Sequence, residues 1–287
     1  MKRILMVILM TATVCSGVFA QNKPTIYVSA KGNDTYTNDE NNPCLTMSHA
    51  IALLTMARMV GGMDINTITV IGTLDARSEG TKEDANSIFP IFSIDDEAEI
   101  VITGKPGAIG VERAVLSARG TEKGVVITPS GRIRFEHIEI SGGNLGISIR
   151  EVSEERKSRV TLGPGAVIRG NSRYGVGIIE GTLIIDGGEI RDNTGTGVLI
   201  YKGAVLTMRN GTIRDNRSSD DSGGVHVGGT FSMYGGTITG NRAASTGGGV
   251  YVTSTGTFNQ TGGTISNNTS QQSPNIYRAS GSKGTNL

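Results

Sequence analysis

The stretch Gly187-Gly-Glu-Ile-Arg-Asp-Asn193 decides the fold, because the chain writes it five times with small changes. It stands earlier as Gly165-Ala-Val-Ile-Arg-Gly-Asn171 and later as Asn210-Gly-Thr-Ile-Arg-Asp-Asn216, Gly235-Gly-Thr-Ile-Thr-Gly-Asn241 and Gly262-Gly-Thr-Ile-Ser-Asn-Asn268. Its Ile falls at 168, 190, 213, 238 and 265, in steps of 22, 23, 25 and 27 residues. Self-similarity at such a period marks a stacked-repeat architecture, in which each repeat is one supersecondary unit. Two more strand-like runs lie in each period, as in Gly197-Val-Leu-Ile-Tyr201 and Ala204-Val-Leu-Thr-Met208. Three short strands per turn of 22–27 residues, with glycine-rich corners, make a coil of triangular cross-section.

Aligning the periods assigns the inward side chains. One strand offers Val176, Val198, Val225, Val250 and Ile276, followed two residues later by Ile178, Ile200, Val227 and Val252. A second offers Leu183, Leu206, Phe231 and Phe258, then Ile185, Met208, Met233 and Gln260, and the third offers the Ile series itself. A spacing of two puts each pair on one face of a strand, so every column becomes a stack of like residues along the axis. One turn cannot bury enough apolar surface to order itself, and neighbouring turns must complete the core. The Asn at the end of each Ile strand reads as a structural ladder at a corner: Asn tolerates left-handed backbone, and its amide can bond the copies above and below.

Upstream the period loosens. Thr67–Ile71, Ala98–Thr103, Val125–Ile127 and His137–Ser141 read as strands of earlier turns, interrupted by charged excursions at 77–87 and 150–159. Those excursions are solvated loops or a ligand-holding overhang. Residues 46–60 carry the one expected helix, with Met47, Ala50, Ile51, Leu54 and Ala57 on one face. Thr46 or Ser48 caps its start and Gly61-Gly62 ends it. A coil of stacked turns has an open apolar end, which this helix closes. His49 reads as a surface residue.

Composition agrees: 42 Gly, no Trp and 5% aromatics, in a chain rich in β-branched residues. At the N-terminus, Lys2-Arg3, the apolar run Ile4–Met10 and Val18-Phe19-Ala20 before Gln21 read as a secretory signal rather than a membrane span. Without residues 1–20 the basic count falls from 27 to 25 against 26 acids, which gives no polycationic footprint for nucleic acid. The expected location is therefore outside the cytoplasm: extracellular, cell-surface or periplasmic. Cys44 would be alone in the mature chain, so no intramolecular disulfide forms; Cys15 raises lipidation, against a poor Ala12-Thr13-Val14 approach.

Ile26-Tyr-Val-Ser-Ala-Lys-Gly-Asn-Asp34, followed by Pro43-Cys-Leu-Thr-Met-Ser-His-Ala-Ile51, resembles the entry segment of pectate-lyase-like right-handed β-helix proteins. The Gly-Gly-Thr-Ile…Asn runs and Gly-Gly-Gly-Val-Tyr251 resemble the repeats of bacterial surface proteins with β-helical passenger regions. The resemblance implies an all-β, single-domain right-handed parallel β-helix with an N-terminal capping helix. It implies no one activity, because that fold carries lyases, hydrolases, adhesins and stalks. The expected organisation is a signal at 1–20, strand and helix at 21–62, irregular turns at 63–160, regular repeats at 161–278 and a flexible tail at 279–287.

Glycoside hydrolysis on this scaffold needs paired carboxylates. The three His residues, His49, His137 and His226, sit in no Gly-His-Gly. A calcium-dependent uronate lyase needs a carboxylate cluster and a basic residue to take a proton. Its candidates are Arg191, Arg214 and Asp215 for catalysis, with Asp192 and Asp215 sharing calcium, Arg169 beneath them and Asp220-Asp221 in a loop on that face. Alternating Arg and Asp that simply neutralise each other would read the same way. For binding, the outward residues Leu199, His226, Tyr251 and Tyr277 lie one above another, as a stripe to meet a polysaccharide or a cell-surface protein, or as a ladder that only stiffens the sheet. The leading expectation is an exported, non-catalytic interaction protein without cofactor, adhesin-like or an envelope component; the alternative is the uronate lyase with calcium.

Overall fold

Inward apolar columns run the length of the molecule. In the computed structural model, which describes residues 25–34, 38–61, 64–75, 87–91, 98–105, 113–119, 121–151 and 157–286, the strands are paired in parallel throughout. One column reads Ile26, Ile68, Ile102, Phe135, Leu162, Ile185, Met208, Met233 and Gln260, each in register with the next. On a second face Leu74, Leu116, Ile140, Ile168, Ile190, Ile213, Ile238 and Ile265 stack likewise. On the third, Phe89, Val126, Ile147, Val176, Val198, Val225, Val250 and Ile276 do. The apolar members of these columns are buried, with Ile265 and Ile276 of the last turn only partly so, and they belong to one continuous core. The looser early turns thus share the three-faced section of the later ones.

Two details differ from the expectation of separate short strands and a free tail. The first and second faces join in single ten-residue strands at Thr182–Arg191 and Val205–Arg214, whose pairing is irregular around Asp186. A bulge bends these strands through the corner without ending them. The segment after Arg278 is held to the last turn: Phe258 N–H donates to Lys283 O at 2.9 Å, and Gln260 N–H to Thr285 O at 2.9 Å. Arg278 takes the inward position after Val252, lays its guanidinium over the Phe258 ring and donates to Phe258 O, covering the C-terminal end of the core.

Helix α1, Met47–Gly61, closes the other end. Met47, Ala50, Ile51 and Leu54 are buried in the shared core, as the apolar spacing requires. Thr46 Oγ1 accepts the His49 N–H at 3.1 Å, making Thr46 the cap. Asp34 accepts from Leu45 N–H at 2.8 Å, Thr46 N–H at 3.1 Å and the Thr46 hydroxyl at 2.8 Å. Gly32 is needed because a Cβ there would collide with the Cys44 carbonyl. The entry motif is therefore a device that turns the first strand into the capping helix.

The Asn ladder is continuous. The Nδ2 of Asn171, Asn193, Asn216 and Asn241 donates to the Oδ1 of the Asn one turn on, at 2.8–3.0 Å, and Asn268 ends the series on Asn275 at 3.2 Å. Each Oδ1 also accepts a backbone N–H, as from Asn193 to Asn216 at 3.2 Å. The left-handed residue is the one before each ladder Asn: Gly170, Asp192, Asp215, Gly240 and Asn267 have φ of +62°, +52°, +55°, +67° and +56°. Only Gly, Asn and Asp visit that region at low cost, which explains the residue types found there.

Among the described residues no helix is long and apolar enough to cross a membrane. The readings of a signal at 1–20 and of acylated Cys15, and most of the two charged excursions, lie outside the described residues.

Candidate functional site

On the second face, beside each Ile, the outward residues form two columns: Glu139, Val167, Glu189, Thr212 and, next to it, Ser141, Arg169, Arg191, Arg214, Thr239. The proposed lyase residues are brought together here, but with carboxylates already on the guanidinium groups. Arg214 donates to Glu189 at 2.6 Å and to Asp215 at 2.6 Å. Arg191 donates to Glu189 at 2.9 Å and also to Asp192. Arg169 donates to Glu139 at 2.7 Å. The bond from Glu189 holds Arg214 above its ordinary pKa, and the bond from Glu139 does the same for Arg169. A guanidinium so held is a poor proton acceptor.

Glu189 and Glu139 are absent from the sequence-derived site, although the signal was present. Glu189 stands two before Arg191 and hence on the same face, in reach of both arginines. Asp192 and Asp215 each close on their own Arg, and each occupies a left-handed corner that calls for Asp on backbone grounds. Calcium takes six to eight oxygen ligands; Asp192 and Asp215 are two carboxylates that each already accept from an arginine. Among the described residues the one group of three donors within 4.8 Å of one another is Asp34, Cys44 and His49. There Asp34 holds the helix entry, and Cys44 is a buried thiol that accepts from Asn38 Nδ2 at 3.0 Å and is pushed up to about 12 by burial.

The binding stripe is in register on the outer side of the third face: Leu199 with His226, His226 with Tyr251, and Tyr251 with Tyr277. His226 and Tyr251 have ring centroids 5.0 Å apart, tilted by 32°; Tyr251 and Tyr277 are 5.3 Å apart and 7° from parallel. Their faces are turned toward one another along the axis, so the stripe offers mainly ring edges and hydroxyls outward. Burial lowers the His226 pKa, against an opposing pull from Asp221 and Asp220; burial also raises that of Tyr251, with Asp221 adding to it. Asp221 accepts from the Thr246 hydroxyl at 3.2 Å, and the next residue, Gly247, lies against Tyr251, so this loop adjoins the stripe. The sequence reading had set Asp220 and Asp221 with the Arg–Asp pairs.

A glycine column went unread in the sequence. A Cβ at Gly146, Gly175, Gly197, Gly224 or Gly249 would come within 2.6–3.2 Å of the Ile Cγ2 and Asn Nδ2 of the ladder columns. The ladder fills that space, and Gly is what remains. The signal was its constant place, just before the inward Val.

Parallel register on three faces, an end-capping helix and an internal Asn ladder define the class: this is a parallel β-helix repeat protein. Residues 164–284 match the family described as right handed beta helix region. No curated protein and no solved structure matches the chain.

Proposed function

We propose that this is an exported, non-catalytic interaction protein, adhesin-like or a component of the cell envelope, that presents the outer faces of its coil. The observation that carries this reading is the closed Arg–carboxylate network on the second face. The residues best suited by type to proton abstraction, Arg191 and Arg214, are spent on Glu189, Asp192 and Asp215. The outward columns keep their regularity there, whereas reaction centres on repeat scaffolds break it. The apolar segment at 4–10 and the small-x-small pattern Val18-Phe19-Ala20 before Gln21 support export.

The purified chain, incubated with acidic polysaccharides and calcium, should give no unsaturated product absorbing in the ultraviolet. Product formation that disappears in Asp215→Ala would overturn the reading. Fractionation of the native cells should place the protein outside the cytoplasm with Gln21 as its first residue.

A further inference from the structure

Within the regular repeats that carry the Asn ladder, the loop length changes beside the ring-bearing stripe. From ladder Asn to the first inward residue of the third face the chain takes five positions at Asn171–Val176 and Asn193–Val198. It takes nine at Asn216–Val225 and Asn241–Val250, and eight at Asn268–Ile276. The three turns with the longer loops are the three that carry His226, Tyr251 and Tyr277.

The longer loops are stacked and bonded to one another. Arg217–Ser218 pairs in parallel with Arg242–Ala243, and Thr246 bridges to Gln272. Ala244 N–H donates to Asp220 O at 3.1 Å, Gly247 N–H to Gln272 O at 3.2 Å and Gln272 N–H to Ser245 O at 3.0 Å. The Thr246 hydroxyl donates to Asp221 Oδ1 at 3.2 Å. The ledge leans on the stripe: Gly247, at φ +60°, would place a Cβ 2.9 Å from that of Tyr251. At its root Ser222 is 1% exposed, and its hydroxyl has no partner among the described residues. A preformed, hydrogen-bonded ledge lowers the ordering cost of binding.

The ledge carries its two signs in separate places. Arg217 and Arg242 stand exposed at its start, whereas the segments 218–224, 243–249 and 270–275, which lead on to the stripe, contain Asp220, Asp221, hydroxyls and amides, and no Lys or Arg. The rings beside them add edges, phenol hydroxyls and an imidazole at the strand spacing of about 4.8 Å. A hexopyranose unit is close to that in length, so a sugar chain laid along the axis stays in step with the turns. An extended peptide advances about 3.3 Å per residue and does not.

Resting on the interaction reading above, we propose that the stripe His226–Tyr251–Tyr277 and the ledge of Asp221, Thr246 and Gln272 bind an amine-bearing saccharide chain running along the coil axis. Ring edges and hydroxyls meet the sugar hydroxyls, and Asp220 and Asp221 meet the ammonium groups. The same carboxylates repel uronates.

Calorimetric titration of the full chain with a glucosamine hexamer, an N-acetylglucosamine hexamer, a galacturonic acid hexamer and an oligolysine peptide tests this. The glucosamine hexamer should bind at least tenfold tighter than the other three. Asp221→Asn should weaken it about tenfold, the scale of one charge-assisted hydrogen bond. Tyr277→Ser, in the last strand of the face, should weaken it with far-ultraviolet dichroism unchanged. Absence of binding, equal binding of the galacturonate, or equal binding of oligolysine overturns the assignment. So does full affinity in folded Asp221→Asn and Tyr277→Ser. If no hexamer binds yet the protein is found outside the cytoplasm and inactive on polysaccharide, this assignment falls and the broader reading stands.

Discussion

At Gly197 the whole logic of the corner meets in one residue. A methyl group there would lie 2.8 Å from Asn216 Nδ2, 2.8 Å from Gly224 O and 3.0 Å from Ile213 Cγ2. Gly203, by contrast, has φ +87° and nothing within 4 Å of the same added atom. The two positions separate steric exclusion from backbone strain. Gly203→Ala should cost about 1 kcal/mol, the price of a left-handed alanine. Gly197→Ala should cost about 2–3 kcal/mol, because the packed ladder must give way. Denaturant unfolding of both variants checks this, and equal losses would show that the ladder yields more easily than its geometry implies. The same residue-level rule explains Asp192 and Asp215. Their left-handed backbone selects Gly, Asn or Asp, so their recurrence needs no catalytic reason.

Among the elements, the Asn ladder distinguishes this coil from a simple pile of apolar strands. Asn216 is fully buried; its Oδ1 accepts from Asn193 N–H and Nδ2, and its Nδ2 donates to Ile190 O and Asn241 Oδ1. Asn216→Ala strands those partners without water. The expected loss is about 3 kcal/mol, or a Tm lower by about 6–12 °C. Thr212→Ala on the outward column of the same strand serves as control and should fall within about 0.5 kcal/mol. A ladder variant no less stable than that control would show that the core columns alone hold the turn. The Arg–Glu network is the opposite case. Apart from the buried Glu139, its side chains are partly exposed, so such a pair adds about 1 kcal/mol or less.

Across the whole molecule, the two ends of the coil are closed by different chemistry: α1 at one, Arg278 with residues 279–286 at the other. Leu54 is 1% exposed and belongs to the core that the helix seals. Leu54→Asp places an unpaired carboxylate there, which a buried site does not tolerate. The helix should leave its seat and bare Ile26 and Ile68. Because each turn contacts only its neighbours, the later turns should keep their β-sheet dichroism while the protein associates through the open end. Light scattering reads the association; a monodisperse variant of unchanged stability would mean the helix does not seal the core.

The sequence alone determined the number of strands per turn, the members of the inward columns in the regular turns from Ile168 to Ile276, the capping helix and the place of the Asn ladder. All of these follow from spacing, and in a stacked coil spacing in sequence becomes position in space with little left over. The stripe Leu199, His226, Tyr251 and Tyr277 was legible for the same reason. What the tertiary structure decided is what crosses between columns. Glu189 reaches Arg214 from the turn before, the ledge of three loops leans on Tyr251, and residues 279–286 fold back on Phe258. Contacts of this kind depend on where side chains and loops of unlike length come to rest, and periodicity carries no information about that. The repeat therefore wrote the scaffold, while the ledge beside the rings, a departure from it within the later turns, acquired its chemistry from three-dimensional proximity.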